Sequence, residues 1–137
     1  MRHLFAGLVL ATVCFPSVAQ EWFVVYGDPV NSENDLIEIR PSFISTVDLP
    51  RVEVRVSRSG ERNAYGGGKY RSHHSIAVID CKNQEGWYTQ MDFYGLPVWK
   101  GPVTKSRSFK VGHAPVAFAE IPGEADRLVR AACRLMK

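Results

Sequence analysis

Polar and apolar residues alternate with a period of two along most of this chain, which is the pattern of half-buried β-strands. The clearest stretch is RVEVRVS, where valines occupy one face and charged or polar residues occupy the other. Glycine, proline, asparagine and aspartate separate the apolar stretches, as turns require. The pattern predicts six strands, at Trp22–Gly27, Leu36–Arg40, Arg51–Ser57, Tyr70–Cys81, Trp87–Gly95 and Arg107–Val111.

Only the C-terminal segment has a helical period. After Ile-Pro-Gly, one stripe of a helix would carry the apolar residues Ala125, Leu128, Val129, Ala132 and Met136. Acidic residues open this segment and basic residues close it, which complements the helix dipole. The stripe must be buried, and the sheet offers the surface for it. The predicted fold class is therefore α+β, with an antiparallel meandering sheet of about six strands and one C-terminal helix packed on it.

The first residues have the features of an export signal. A basic start is followed by an apolar run from Leu4 to Phe15 and then by Ser17-Val18-Ala19, a pattern that signal peptidase cleaves. The apolar run is too short to cross the ~30 Å hydrocarbon core of a membrane. We therefore predict a signal peptide over residues 1–19 and one exported domain over residues 20–137. The residues before Cys14 lack the small side chain expected ahead of a lipid-modified cysteine, so we do not expect a lipoprotein.

Two cysteines remain once Cys14 leaves with the signal peptide. In an oxidising compartment Cys81 and Cys133 would form the single disulfide, and closing that loop would stabilise the fold by about 4 kcal/mol. Such a bond would attach the helix to the long strand on the face that carries Ala77 and Ile79. Two buried thiols, or two ligands of a metal site, are the alternatives.

The charge of the chain gives no argument for nucleic acid as a partner. The formal net charge is +3, and removal of Arg2 with the signal peptide lowers it by one. A nearly neutral exported domain has no excess of cations to neutralise phosphates. We predict no nucleic-acid partner, no transmembrane segment and no cofactor.

The segment NAYGGGKYRSHHS combines features of a phosphate loop and of a metal site. A P-loop requires glycine at the position of Asn63 and serine or threonine at the position of Tyr70, so nucleotide binding is not expected. His73 and His74 are neighbours on a strand and must point to opposite faces, so they cannot share a metal. We interpret both as half-exposed strand histidines. No G-x-S-x-G nucleophile elbow is present, and we predict that the protein is not an enzyme.

The best candidates for ligand or partner contact are basic and aromatic residues around this turn. These candidates are Arg55, Arg58, Arg62, Tyr65, Lys69 and Arg71, with Trp99 as a second one in the turn LPVWKGP. Arginine and tyrosine are typical interface residues, so the group suits an anionic glycan or an acidic protein partner. The alternative is a solvated hairpin end, and Trp99 either contacts a partner or covers the core.

The chain resembles the surface-adhesin protein E family of exported bacterial proteins over most of residues 21–133. The resemblance rests on EWFVV, on YRSHHSIAVIDC, on the aromatic strand ending FYG at Gly95, and on IPGEADRLVRAAC. It implies a small antiparallel sheet flanked by a C-terminal helix, with a cysteine after the central strand paired to one on the helix. Members of that family lie on the outer membrane, bind host extracellular-matrix proteins and can form dimers.

Together these observations predict an exported, non-enzymatic binding module that resembles bacterial surface adhesins and contacts host matrix proteins or anionic glycans. The alternative is a periplasmic structural or accessory protein that binds another envelope protein. The expected location is the periplasm, the cell surface or the medium. An open sheet edge would permit pairing of two copies.

Overall fold

The computed structural model describes residues 21–31, 33–42, 49–118 and 120–136. The predicted signal peptide, residues 1–19, lies outside these ranges. The described chain forms six strands, namely Phe23–Tyr26 (β1), Leu36–Pro41 (β2), Arg51–Asn63 (β3), Lys69–Asp80 (β4), Glu85–Tyr94 (β5) and Val103–Ser108 (β6). One helix, Glu124–Leu135 (α1), ends the chain, and a short 3₁₀ turn at Pro97–Trp99 lies between β5 and β6.

All six strands belong to one antiparallel sheet in which spatial order follows chain order. The predicted six-stranded sheet with a single C-terminal helix is thereby confirmed as a small, mostly-β fold. The predicted position of the last strand, Arg107–Val111, is wrong, because β6 ends at Ser108. This edge strand is exposed at all but one of its positions, so its sequence VTKSRS carries no apolar alternation to reveal it.

One face of the sheet carries the apolar core. Val54 and Val56 of β3 pair with Ile39 and Ile37 of β2, and Val52 pairs with Ala77 of β4, so the core face extends across three strands. The fully buried side chains of this face include Ile37, Ile39, Val52, Val54, Val56, Ile79, Tyr88 and Phe93. Because side chains alternate between faces, Glu53 and Arg55 of β3 lie on the opposite face, while the polar residues Arg58 and His73 share the core face.

Helix α1 covers the core face at the end where β4 finishes. It buries Leu128, Val129 and Ala132 and contacts β1, β2, β4 and β5. The predicted Cys81–Cys133 disulfide is confirmed, with the two Cα atoms 5.8 Å apart. It joins the helix to the end of β4 beyond Ile79. Within the described residues, no helix has the length and apolar character needed to cross a membrane.

Candidate functional site: the hairpin-end cavity

The β3–β4 hairpin ends in three consecutive glycines, each with positive φ, which side chains other than glycine rarely allow. The turn folds toward the last strand, where Arg107 and Lys105 donate hydrogen bonds to the carbonyls of Gly66 and Gly67 over 2.7 and 3.1 Å. The φ of Gly66 is 80°, so another residue would be strained there, and its Cβ would also displace the Arg107 guanidinium. The hairpin tip is therefore fixed against the sheet rather than projecting into solvent.

Strand β3 is irregular just before this tip. Ser57 pairs with Ser72, but the next pair is Arg62 with Tyr70, so β3 contains three extra residues. Arg71 supports the bulge by donating to the carbonyls of Arg58 and Ser59 over 2.7 and 3.1 Å. Arg71 is thus occupied in holding the backbone.

Arg58 continues the inward-facing series of β3 valines and is buried, with 1% of its surface exposed. Its Nε donates to Asp35 Oδ1 over 2.9 Å, and the same oxygen accepts the Ser59 N–H over 2.9 Å. Burial alone would raise the pKa of the Asp35 carboxyl, but these hydrogen bonds and the charges of Arg58 and Arg62 hold it below its usual range. A carboxylate–guanidinium pair is therefore built into the interior beside the hairpin.

Between the hairpin tip, the sheet and the chain before α1 lies a cavity of about 490 Å³, which we call the hairpin-end cavity. Its volume is in the range of small-molecule sites. Residues of β3, β4, β5, the hairpin turn and the chain before α1 line it, namely Arg58, Glu61, Arg62, Asn63, Ala64, Tyr65, Gly66, Lys69, Tyr70, His73, Tyr88, Met91, Phe93, Ala117 and Glu120. Its inner surface is mainly aromatic, and its cations come from β3 and β4.

Aromatic rings form the inner wall of the hairpin-end cavity. His73 makes edge contacts with Tyr70, Tyr88 and Phe93, at centroid distances of 5.5, 5.6 and 6.0 Å. Tyr65 reaches over this wall, 6.4 Å from the Tyr88 ring, and donates its hydroxyl to Pro115 O over 2.6 Å. The Tyr65 side chain thereby ties the hairpin to the segment that follows β6.

His73 is a neutral member of this wall. Burial, followed by the nearby positive charges of Arg58 and His74, lowers the pKa of His73 from 6.5 to about 3. Its Nδ1 lies 2.7 Å from Ser75 Oγ. The prediction of a half-exposed His73 is wrong, because the ring is only 2% exposed. His74 does lie on the opposite face, with 37% of its side chain exposed.

Two buried polar atoms of cavity-lining residues have no hydrogen-bond partner within the described residues. They are the Tyr88 hydroxyl and Arg62 Nε. Tyr88 is 1% exposed, and burial raises the pKa of its phenol well above 10, so the group is a neutral hydroxyl. An unpaired buried hydroxyl costs about 1–3 kcal/mol, and a ligand oxygen in the cavity would remove that cost.

The structure places the predicted contact residues in two separate regions. Arg58, Arg62, Tyr65 and Lys69 line the hairpin-end cavity, with Arg71 behind them on the bulge. Arg55 and Trp99 lie on the other face of the sheet, where the Arg55 guanidinium is 4.2 Å from the Trp22 ring centre and 4.4 Å from that of Trp99. Trp99 also donates from Nε1 to His73 O over 2.8 Å, so it covers the second face of the sheet.

Sequence reasoning missed the inner half of the cavity. Tyr70, His73, Tyr88 and Phe93 face inward by the same alternation that places the β3 valines in the core. Counting that alternation from Val56 to Arg58 would also have placed this arginine inside. No local sequence pattern predicts that Glu120 lines the cavity, since its partner Arg62 is 58 residues away.

No protein-family model, no curated protein and no solved structure matches the chain. The resemblance to surface-adhesin protein E therefore stays a prediction from sequence. Among the described residues, no three histidine, cysteine, aspartate or glutamate side chains are close enough to hold a metal ion. The hairpin-end cavity is accordingly the feature of the described chain that bears on function.

Proposed function

We propose that this chain is an exported, non-enzymatic binding module of the surface-adhesin E type that takes an anionic sugar unit of a glycan in the hairpin-end cavity. The observation that carries the proposal is the unpaired Tyr88 hydroxyl, buried at the wall of a cavity of about 490 Å³. Buried hydroxyls normally have partners, and an unpartnered one on a cavity-lining residue favours a ligand that supplies an oxygen there.

The cavity walls suit a ring that has both apolar and polar surfaces. Tyr65, Tyr70 and Phe93 offer ring faces and edges, while the guanidinium groups of Arg58 and Arg62 supply positive charge. Sites of this kind bind through apolar walls and take orientation from a few polar groups. A sugar acid presents ring C–H groups to the aromatic side chains and oxygens to the donors.

The state of the titratable residues supports binding rather than proton transfer. His73 is neutral, and its Nδ1 is engaged with Ser75 Oγ. The acidic lining residues Glu61 and Glu120 are exposed, away from the buried Tyr88 wall. A general acid or base works best with a pKa near the operating pH, and His73 is far from it.

A conservative pair of variants tests this proposal on a glycan array with uronate-containing and neutral polysaccharides. Tyr88→Phe removes only the unpaired hydroxyl, and Tyr94→Phe is the matched control on the opposite face of β5. We expect the wild type to bind uronate-containing glycans and the affinity to fall about tenfold in Tyr88→Phe, because a hydrogen bond to a charged ligand contributes about 1.5–3 kcal/mol. Binding to acidic protein alone, or equal affinities of both variants, would contradict the proposal.

Protein contact through the edge strand β1 is a second candidate function, and it fits an envelope accessory protein or a homodimer. Phe23, Val24 and Tyr26 are 43%, 46% and 37% exposed on this four-residue strand. Exposed apolar side chains on a strand that ends the described sheet favour strand addition. Val24→Lys should abolish such an association, as measured by sedimentation of the purified protein with and without envelope extract.

A further inference from the structure

The guanidinium of Arg62 is only partly satisfied at the hairpin-end cavity. Its Nη1 donates to Glu61 O over 3.0 Å, and its Nη2 donates to Glu120 Oε2 over 2.7 Å. The remaining nitrogen, Nε, is buried without a partner in the described part of the chain. Nε and Nη2 form one edge of the guanidinium, the edge that binds a carboxylate through two parallel hydrogen bonds.

The same molecule shows how such an edge is filled when the pairing is complete. Arg40 donates from both Nε and Nη2 to the two carboxylate oxygens of Glu53. Glu120 engages only half of the corresponding edge of Arg62. The side chain of Glu120 is 71% exposed, whereas that of Arg62 is only 18% exposed. An ion pair with one partner in water is weak, so a better-placed carboxylate can displace Glu120.

Glu120 is held in position by an unusual backbone. Its φ is 67°, a region that residues other than glycine seldom adopt. The conformation has an energetic cost, which indicates that the turn before α1 is a specified feature. This turn places the Glu120 carboxylate beside the Arg62 guanidinium, although the two residues are 58 positions apart in the sequence.

Resting on the proposed function, we propose that the Nε–Nη2 edge of Arg62 is the carboxylate subsite of the hairpin-end cavity. Glu120, which we call the placeholder, occupies part of this subsite in the unliganded protein. A ligand carboxylate replaces Glu120 and pairs with both nitrogens. The aromatic wall receives the ring of the ligand, and the Tyr88 hydroxyl pairs with one of its oxygens. The ligand class is therefore a sugar acid, and a neutral sugar lacks the group that displaces Glu120.

Titration of the isotope-labelled mature protein with sodium glucuronate, followed by amide chemical shifts of Gly66 to Gly68, tests this assignment. Removing the placeholder with Glu120→Gln should tighten glucuronate binding about three- to fivefold, the equivalent of one exposed ion pair. Glu61→Gln makes the same change of charge at the same cavity without touching the Nη2 contact, so it should tighten binding less. Arg62→Lys should weaken binding about tenfold, because lysine cannot form the two-pronged pair.

The two proposals fail in different ways. Glucuronate binding at the cavity with equal affinity in the wild type, Glu120→Gln and Glu61→Gln would overturn the placeholder and leave the proposed function standing. Glucose binding as tightly as glucuronate would overturn the carboxylate subsite. Absence of shifts with every variant, each first shown to be folded by its amide spectrum, would overturn the proposed function itself. Shifts with an N-acetylglutamate peptide but not with glucuronate would assign the subsite to acidic protein.

Discussion

Arg58 Nε donates to Asp35 Oδ1 over 2.9 Å in a part of the interior where Arg58 is 1% exposed. The pair lies beside the hairpin-end cavity, and its cation helps to keep His73 uncharged. Buried ion pairs of this kind contribute little net stability, but removal of the carboxylate leaves a buried guanidinium that keeps its hydrogen bond with Tyr70 and loses its counter-charge. The pair therefore matters most for the electrostatics of the cavity and for the consequences of breaking it.

Replacing Asp35 should destabilise the protein more than replacing Arg58. Asp35→Asn leaves Arg58 charged and buried, so we expect the free energy of unfolding to fall by about 3 kcal/mol. Arg58→Met replaces the cation with an apolar chain of similar length and leaves Asp35 its hydrogen bond from Ser59. Urea unfolding of both variants measures the difference. A milder effect of Asp35→Asn than of Arg58→Met would contradict this account.

Acidification should destabilise the protein through His73. Its pKa is about 3 in the folded state, while the unfolded chain has the ordinary value of about 6.5. Between these two pH values the unfolded state binds a proton that the folded state does not, so stability falls as pH falls. The loss should reach about 2 kcal/mol at pH 5.

His73→Phe should remove this loss, because the unfolded variant has no imidazole to protonate at that position. The lowered pKa of Asp35 affects stability in a lower pH range. The stabilisation from its carboxylate is present above about pH 4 and is lost only below that pH. Urea midpoints at pH 7 and pH 5 therefore isolate His73. The same loss in His73→Phe and in the wild type would show that another group is responsible.

The Tyr88 hydroxyl should reduce stability in the unliganded protein. Since it is buried without a partner in the described residues, Tyr88→Phe should raise the free energy of unfolding by about 1 kcal/mol. Tyr94→Phe, on the other face of the same strand, is the control. The measurement is thermal and urea unfolding without added ligand, and a destabilised Tyr88→Phe would mean that the hydroxyl is already hydrogen-bonded.

The second face of the sheet should depend on the planarity of Arg55. This guanidinium stacks between Trp22 and Trp99, and its Nε also donates to Glu38. Arg55→Lys keeps the charge but loses the flat contact, which should cost about 1–2 kcal/mol of unfolding free energy. Arg130→Lys, at an exposed position of α1, should change stability by less than about 0.5 kcal/mol. Equal effects of the two substitutions would argue against the stack.

Alternation of polar and apolar residues was sufficient to predict the strands that have one buried face. It worked best for the start of β3, where the buried valines Val52, Val54 and Val56 recur every second residue, whereas β2 and β4 also contain consecutive buried residues. It misplaced β6, since an exposed edge strand held by backbone pairing needs no apolar face. The Cys81–Cys133 pair followed from counting cysteines, and α1 followed from its apolar stripe.

The candidate site was predictable only in part. The basic and aromatic residues of the hairpin were identified, but the sequence grouped Arg55 with Arg58 although they lie on opposite faces. The cavity itself depends on the position of Ala117 and Glu120 beside the hairpin, a contact between distant residues that no local pattern encodes. Burial of His73 likewise follows from tertiary packing over β4.

The tie between Tyr65 and Pro115 has a consequence for the order in which the protein matures. Hairpins close early because their strands are adjacent in the chain, whereas this contact spans 50 residues and the Arg62–Glu120 pair spans 58. A chain that has assembled β3 and β4 but has not yet formed the contacts to Pro115 and Glu120 has the cations and the aromatic rings without an enclosure for them. The proposed site is therefore complete only after these two long-range contacts form, so ligand binding would serve as a probe of late folding.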